Sequence, residues 1–171
     1  RVPAGNVLLG DGRGFEIAQG RLGPGRMHHC MRLIGTGQRA LELACKRATS
    51  RTTFGRQLSK HQSVREDISR MFSEIEMARL LVLKTSHKID EQGVPASIDM
   101  IAATKTTIPL LIQNVIDRAI QMHGAGGLTA DYCMAEGYNY ARWCRQADGP
   151  DQVHQMALGK QIIERYSGEK A

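Results

Sequence analysis

An all-α fold, an up-and-down helical bundle, is predicted by three observations. Apolar residues recur at helical spacing from about Gly25 onward, the periodic stretches are long, and the connections between them are brief. Residues 1–20 stand apart. There Pro3, Gly5, Gly10, Gly12, Gly14 and Gly20 punctuate the short apolar pieces Val7-Leu-Leu and Phe15-Glu-Ile, a pattern for turns and a strand end. The first helix then begins near Gly25, with Met31, Leu33, Ile34, Leu41, Leu43 and Ala44 on one broad face. A second helix is expected over 59–92, its inner stripe made by Val64, Ile68, Met71, Ile75, Ala78, Leu81 and Leu83. Gly93-Val-Pro95 ends it, and Ser97 is placed to cap a third helix reaching about His123, with a kink or local break at Pro109. Gly124-Ala-Gly-Gly127 stops that helix. A shorter helix covers 129–146, residues 148–150 make a turn, and a last helix covers 153–166.

A chain of 171 residues is long enough for one well-buried domain, here 21–171, led by a short segment and linker over 1–20. Its 42% hydrophobic and 23% charged residues fit a soluble globular protein, no stretch has the apolar length of a membrane span, and the N-terminus lacks a signal-peptide layout. Arg1 in place of Met fits a fragment or a processed chain. Cys30, Cys45, Cys133 and Cys144 show no CxxC spacing, so reduced thiols and an intracellular location are expected. The net charge of +6 invites an anionic partner. Nucleic acid fits poorly, because the basic residues are scattered and the aromatic residues few. A phosphate-rich small molecule or a plain solubilising surface accounts for the charge equally well.

Metal and nucleotide motifs fail on inspection. His28, His29 and Cys30 are adjacent on a helix and point in different directions, so they do not share an ion. Gly10-x-Gly12 and Gly124-x-Gly126 both lack the third glycine of a dinucleotide fingerprint, and no P-loop is present. The richest segment is Arg51-Thr-Thr-Phe54-Gly55-Arg-Gln-Leu58, with Gln62 beyond it, set between two long helices. Arg51 can grip phosphate oxygens with its planar fork, Phe54 offers a flat apolar face, and Gly55 permits a sharp turn. A helix–loop–helix corner with a solvated Arg explains the same residues. Asp148, ahead of Gly149-Pro150, reads either as an N-cap for the last helix or as a carboxylate held for chemistry.

Taken together, Arg51-x-x-Phe54-Gly55-x-x-Leu58-x-x-x-Gln62, Gln121-Met-His-Gly124-Ala-Gly126-Gly127 and Ala147-Asp148-Gly149-Pro150-Asp151-Gln152 resemble three segments of the acyl-CoA dehydrogenase family, in order and at family spacing. The resemblance covers essentially the whole chain but only the C-terminal part of the family architecture, so residues 1–20 are expected to be the trailing edge of a β-domain. Asp148-Gly-Pro-Asp with Leu22-Gly-Pro-Gly-Arg26 is most similar to the branch of family members ten and eleven.

The resemblance implies a flavoprotein that binds FAD and converts an acyl-CoA to a trans-2-enoyl-CoA, passing electrons to an electron-transferring flavoprotein. It implies Asp148 as the catalytic base, in place of the family's usual Glu. Arg51, Thr53, Phe54, Gln62, Gln121, His123, Gly124, Ala125 and Gln152 would contact FAD, and Arg26 and Gly149 the acyl-CoA. A second base position known in the family, just before the Arg of the first helix, is Gly25 here and so carries no carboxylate. Ala147 and Pro150 replace a family Tyr and Thr. A homodimer or homotetramer is implied, in mitochondria or peroxisomes of a eukaryote or the cytoplasm of a bacterium. The alternatives are an acyl-CoA oxidase and, in another class, a non-catalytic helical oligomerisation module.

Overall fold

The structure, a computed structural model, describes residues 1–168. Five helices account for nearly all of it: α1 (Gly14–Ser50), α2 (Gln62–Ala96), α3 (Ile98–His123), α4 (Met134–Cys144) and α5 (Asp151–Ser167). A hairpin of two short strands, β1 (Thr52–Thr53) and β2 (Arg56–Gln57), joins α1 to α2. The fold is the expected all-α bundle. Helix α3 is its axis, packing against α1, α2, α4 and α5. Its apolar run is wide enough to meet all four. Ile108, Ile112, Val115, Ile116 and Ala119 are all fully buried against Leu33 of α1, Met71 and Ile75 of α2, and Met134 of α4.

Periodicity placed most of the core, with shifts at the edges. Leu33, Ile34, Leu41 and Ala44 are buried as expected, whereas Met31 of α1 and Leu83 of α2 face outward and Val82 takes the inner place. Three local rules were overridden. Helix α1 starts at Gly14, so residues 14–20, expected as turns and strand ends, are helical. The glycines beyond them are close-approach sites: a Cβ at buried Gly23 would lie 2.8 Å from Val94 Cγ1, so the missing side chain lets α1 meet the end of α2. Ser97 does not cap α3; its hydroxyl donates to the Gly93 carbonyl at 2.9 Å, while Asp99 accepts the Met100 N–H at 2.7 Å. Pro109 does not break α3, because it sits buried in the core, where packing outweighs the lost backbone bond. Residues 1–13 contain a short 3-10 turn at Ala4–Asn6 and no strand.

Gly127 in the turn after α3 is fixed by contact rather than by dihedral angle. A Cβ there would sit 2.8 Å from the Ile120 carbonyl oxygen and 2.9 Å from its Cα, both backbone atoms that cannot move aside. Gly127→Ala is therefore expected to destabilise the domain by about 1–3 kcal/mol, the usual cost of overpacking. A urea midpoint equal to that of the wild type would show that this turn is free to shift.

Candidate active site

The turn between α4 and α5 bends through two left-handed residues, Asp148 at φ 57° and Gly149 at φ 106°. Asp tolerates this conformation better than most residues, and Gly149 has no room for a Cβ, which would lie 2.8 Å from His154 Nε2. Side-chain donors from three helices clamp the turn. The Asp148 carbonyl accepts Arg26 Nε of α1 at 3.0 Å and His154 Nε2–H of α5 at 3.1 Å. The Gly149 carbonyl accepts Lys105 Nζ of α3 at 2.5 Å. Below them Asp151, 5% exposed, accepts Arg145 Nε at 2.8 Å and faces Lys105 Nζ at 3.7 Å. Lys105 is itself 3% exposed, and burial lowers its ammonium below the usual lysine value against the pull of Asp151.

The Asp148 carboxylate is thereby left free of structural duty. Helix α5 is entered from Pro150 with no side-chain cap, so the N-cap role for Asp148 is not the one it plays. Its side chain keeps 19% of its surface exposed and lies 3.5 Å from His29 Nε2. The position a Cβ would take at Gly25 is 3.6 Å from Asp148 Oδ2. The two base positions of the resemblance are thus neighbours, only Asp148 carries a carboxylate, and the Arg21 guanidinium occupies the place a Gly25 side chain would fill.

The predicted residues fall into two groups. Asp148, Gly149 and Arg26 come together, with Gln152 on the first turn of α5, exposed. Arg26 spends its Nε on the Asp148 carbonyl and a terminal nitrogen on Gln19 at 3.4 Å, so it shapes the turn as well as the entrance beside it. The remaining residues lie at the far end of α1. Arg51 and Phe54 are exposed, Phe54 at 97%, with Phe54 and Gly55 both at positive φ, as a tight type I′ hairpin turn requires. Thr53 is half-buried in the hairpin, and Gln62 binds Glu66 at 2.8 Å at the start of α2. His123 is buried, donating Nδ1–H to the Ala119 carbonyl at 2.8 Å, while Gln121, Gly124 and Ala125 stay exposed beside it. At this end a cleft of about 230 Å³ is lined by Lys46, Arg47 and Ser50 of α1, just ahead of the hairpin, and by His123 and Tyr132. Along α1, Arg26 and Arg51 are roughly 35–40 Å apart at the helical rise of 1.5 Å per residue.

Lys105, His29, His154 and the Arg145–Asp151 pair were not singled out for the turn by sequence. A lone lysine in the apolar start of α3 was a readable signal. The partner of His29 was not, since that residue was weighed only as a metal ligand beside Cys30. Cys30 instead turns inward toward the Thr104 carbonyl, with its thiol pushed up to about 12 by burial.

His154 gives the turn a pH dependence. Burial lowers its imidazole below 6.5, more than its bond to the Asp148 carbonyl raises it. The unfolded chain therefore takes up this proton at higher pH than the folded one, so stability is complete above about pH 6.5 and falls as pH drops below it. His154→Gln keeps a donor and removes the titration. Its melting temperature is expected to drop less than that of the wild type between about pH 7.5 and about pH 5.5. Parallel curves would assign the acid sensitivity elsewhere.

A helical bundle with a carboxylate-bearing turn clamped from three helices is the arrangement to be matched, and comparison with known proteins gives the class. Residues 12–163 match the acyl-CoA dehydrogenase C-terminal domain, and the chain belongs to the acyl-CoA dehydrogenase family. It is 53% identical over 167 residues to acyl-CoA dehydrogenase family member 10 of Mus musculus, covering 98% of this chain and 16% of that protein. It is 48% identical over 164 residues to family member 11 of Rattus norvegicus, covering 96% of this chain and 21% of the relative. The butyryl-CoA dehydrogenase of Megasphaera elsdenii superposes with a TM-score of 0.86 at 30% identity, over 95% of this chain and 42% of that one. The chain spans well under half the length of these proteins. No helix among the described residues is long and apolar enough to cross a membrane.

Proposed function

We propose that this chain is the part of an FAD-dependent acyl-CoA dehydrogenase that supplies the catalytic base and a portion of the flavin surface. The observation that carries this is the Asp148 carboxylate, part-exposed on a turn clamped from three helices and set beside Gly25, where the Arg21 guanidinium lies. A purely structural bundle needs no such arrangement.

The residues at the far end of α1 suit FAD. Arg47 Nε is buried with no hydrogen-bond partner beside the basic cleft, which fits phosphate oxygens, and Phe54 presents its whole ring outward. Arg51, Thr53, Phe54, Gln62, Gln121, His123, Gly124 and Ala125 would line the nucleotide side, and Gln152 the ring side near Asp148. The length of α1 separates these groups, so one flavin draws Asp148 from one subunit and the Arg51 hairpin from a second. Exposed apolar side chains on α2 (Phe72, Leu80, Leu83) and α5 (Met156, Ile163, Tyr166) offer the surface for a dimer or tetramer. Bound flavin supplies the hydride acceptor. Asp148 takes the proton from the carbon α to the thioester, and the double bond forms as the β-hydrogen departs with its electron pair, giving a trans-2-enoyl-CoA. Arg26 and Gly149 border the substrate. An electron-transferring flavoprotein is the partner that removes the electrons, in mitochondria or peroxisomes of a eukaryote or in the cytoplasm of a bacterium.

The test is the absorbance of the full-length protein. A bound flavin that bleaches anaerobically under one or more of a series of acyl-CoAs supports the assignment. A flavin-free protein, or a flavin that no acyl-CoA reduces, removes it.

A further inference from the structure

Fixing the backbone of a turn does not fix a carboxylate, which still rotates about two side-chain bonds. What faces the Asp148 head group is His29, on the same side of α1 as Gly25, four residues on. Its Nε2 lies 3.5 Å from Asp148 Oδ2. Its other nitrogen, Nδ1, is 2.9 Å from Arg32 and 2.9 Å from the Tyr140 hydroxyl. Arginine has no acceptor, so Nδ1 receives the Arg32 N–H and the ring proton is placed on Nε2, toward the carboxylate. The ring is also held in place sterically. Trp143 meets it edge-on at 5.4 Å, and Trp143 stacks on Tyr140 at 5.7 Å.

We propose that His29 is a positioning residue for Asp148: Arg32 locks its tautomer, and its Nε2–H orients the carboxylate and holds it in the proton-accepting form. The separation is longer than a good hydrogen bond, as catalytic contacts often are before substrate closes the site. Asp has one rotatable bond fewer than Glu, so a single donor at this place is enough to set the direction of its head group. The groups that face the imidazole are Arg21, His28 and Arg32 on α1, Tyr140 and Trp143 on α4, and Asp148 on the turn. Burial keeps the ring below its usual value in spite of Asp148, and Arg32 adds to this, so the neutral tautomer is the working form near neutral pH. For its catalytic consequence, though not for the pairing, this inference rests on Asp148 being the base.

The experiment uses the full-length flavoprotein with ¹⁵N-labelled histidine, His29 being assigned by the signal lost in His29→Gln. The expected spectrum shows the Nε2–H tautomer, and Asp148→Asn is expected to lower the pKa of His29 by removing the facing carboxylate. An Nδ1–H tautomer, or a titration that Asp148→Asn leaves unmoved, overturns the pairing. This arm needs no turnover, so it decides whatever the substrate. In the second arm, anaerobic flavin bleaching is followed with the acyl-CoA that reduces the wild type fastest. His29→Ala is expected to slow bleaching about 30-fold at nearly unchanged acyl-CoA affinity and to move the acid limb of the pH profile upward, as loss of a donor raises a carboxylate's pKa. His29→Gln, which keeps an N–H near the Nε2 position, restores most of the rate. Equal rates in the two variants, or an unmoved limb, overturn the positioning role. If instead Asp148→Asn bleaches normally while the histidine coupling is present, the base assignment falls and the pairing stands.

Discussion

Asp148→Asn in the full-length protein is expected to retain bound flavin and acyl-CoA and to lose about a thousandfold in the rate of flavin reduction, the scale of a removed general base. Asn is the right replacement because it also accepts a left-handed backbone, so the turn at φ 57° keeps its shape and its carbonyl stays available to Arg26 and His154. The carboxylate alone is removed. With flavin absorbance and substrate affinity unchanged, the loss belongs to the proton step rather than to assembly. Reduction within about tenfold of the wild type would place the base on another residue, and Gly25, the other base position of the family, has no group to offer.

The second large effect is expected at Lys105. Its ammonium is the donor to the Gly149 carbonyl and one of two cations facing buried Asp151, whose Oδ1 has no hydrogen bond of its own. Lys105→Met fills most of the volume while withdrawing the charge, and it leaves a carbonyl and a carboxylate oxygen in a dry place. Breaking a buried pair in this way costs about 3–5 kcal/mol, and Arg145 at 2.8 Å moderates the loss toward the lower figure. The urea midpoint should fall accordingly at unchanged m-value. Flavin reduction in the surviving folded fraction should fall too, because the same residue steadies the Asp148 turn. A stability loss below about 0.5 kcal/mol would mean that water or Arg145 already satisfies both oxygens.

Local patterns in the sequence carried the helices and little of their mutual contacts. The stripe from Met71 to Ala78 was legible because a period of 3.6 residues is written into neighbouring positions. Gly23 was legible only as part of a motif, since nothing near it in sequence announces that Val94 will press against it. Pro109 likewise carries a local penalty that burial overrode. The same limit governs the site. Asp148 and Arg26 were legible through motif resemblance, but their contact spans 122 positions, and that of Lys105 with Gly149 spans 44. Those partners are set by which helices pack together, a property of the tertiary fold. The Arg51 hairpin was legible as a turn with a grip for phosphate, yet its distance from Asp148 emerged only when α1 proved to be one unbroken helix from Gly14 to Ser50.

The central claim, that Asp148 is the proton acceptor for an acyl-CoA, is tested most directly by a structure of the full-length flavoprotein with a non-reactive acyl-CoA analogue. The expected result places an Asp148 carboxylate oxygen about 3–3.5 Å from the analogue's α-carbon, the reach of a group poised to react. An α-carbon facing a different carboxylate, with Asp148 turned away from the thioester, would contradict it.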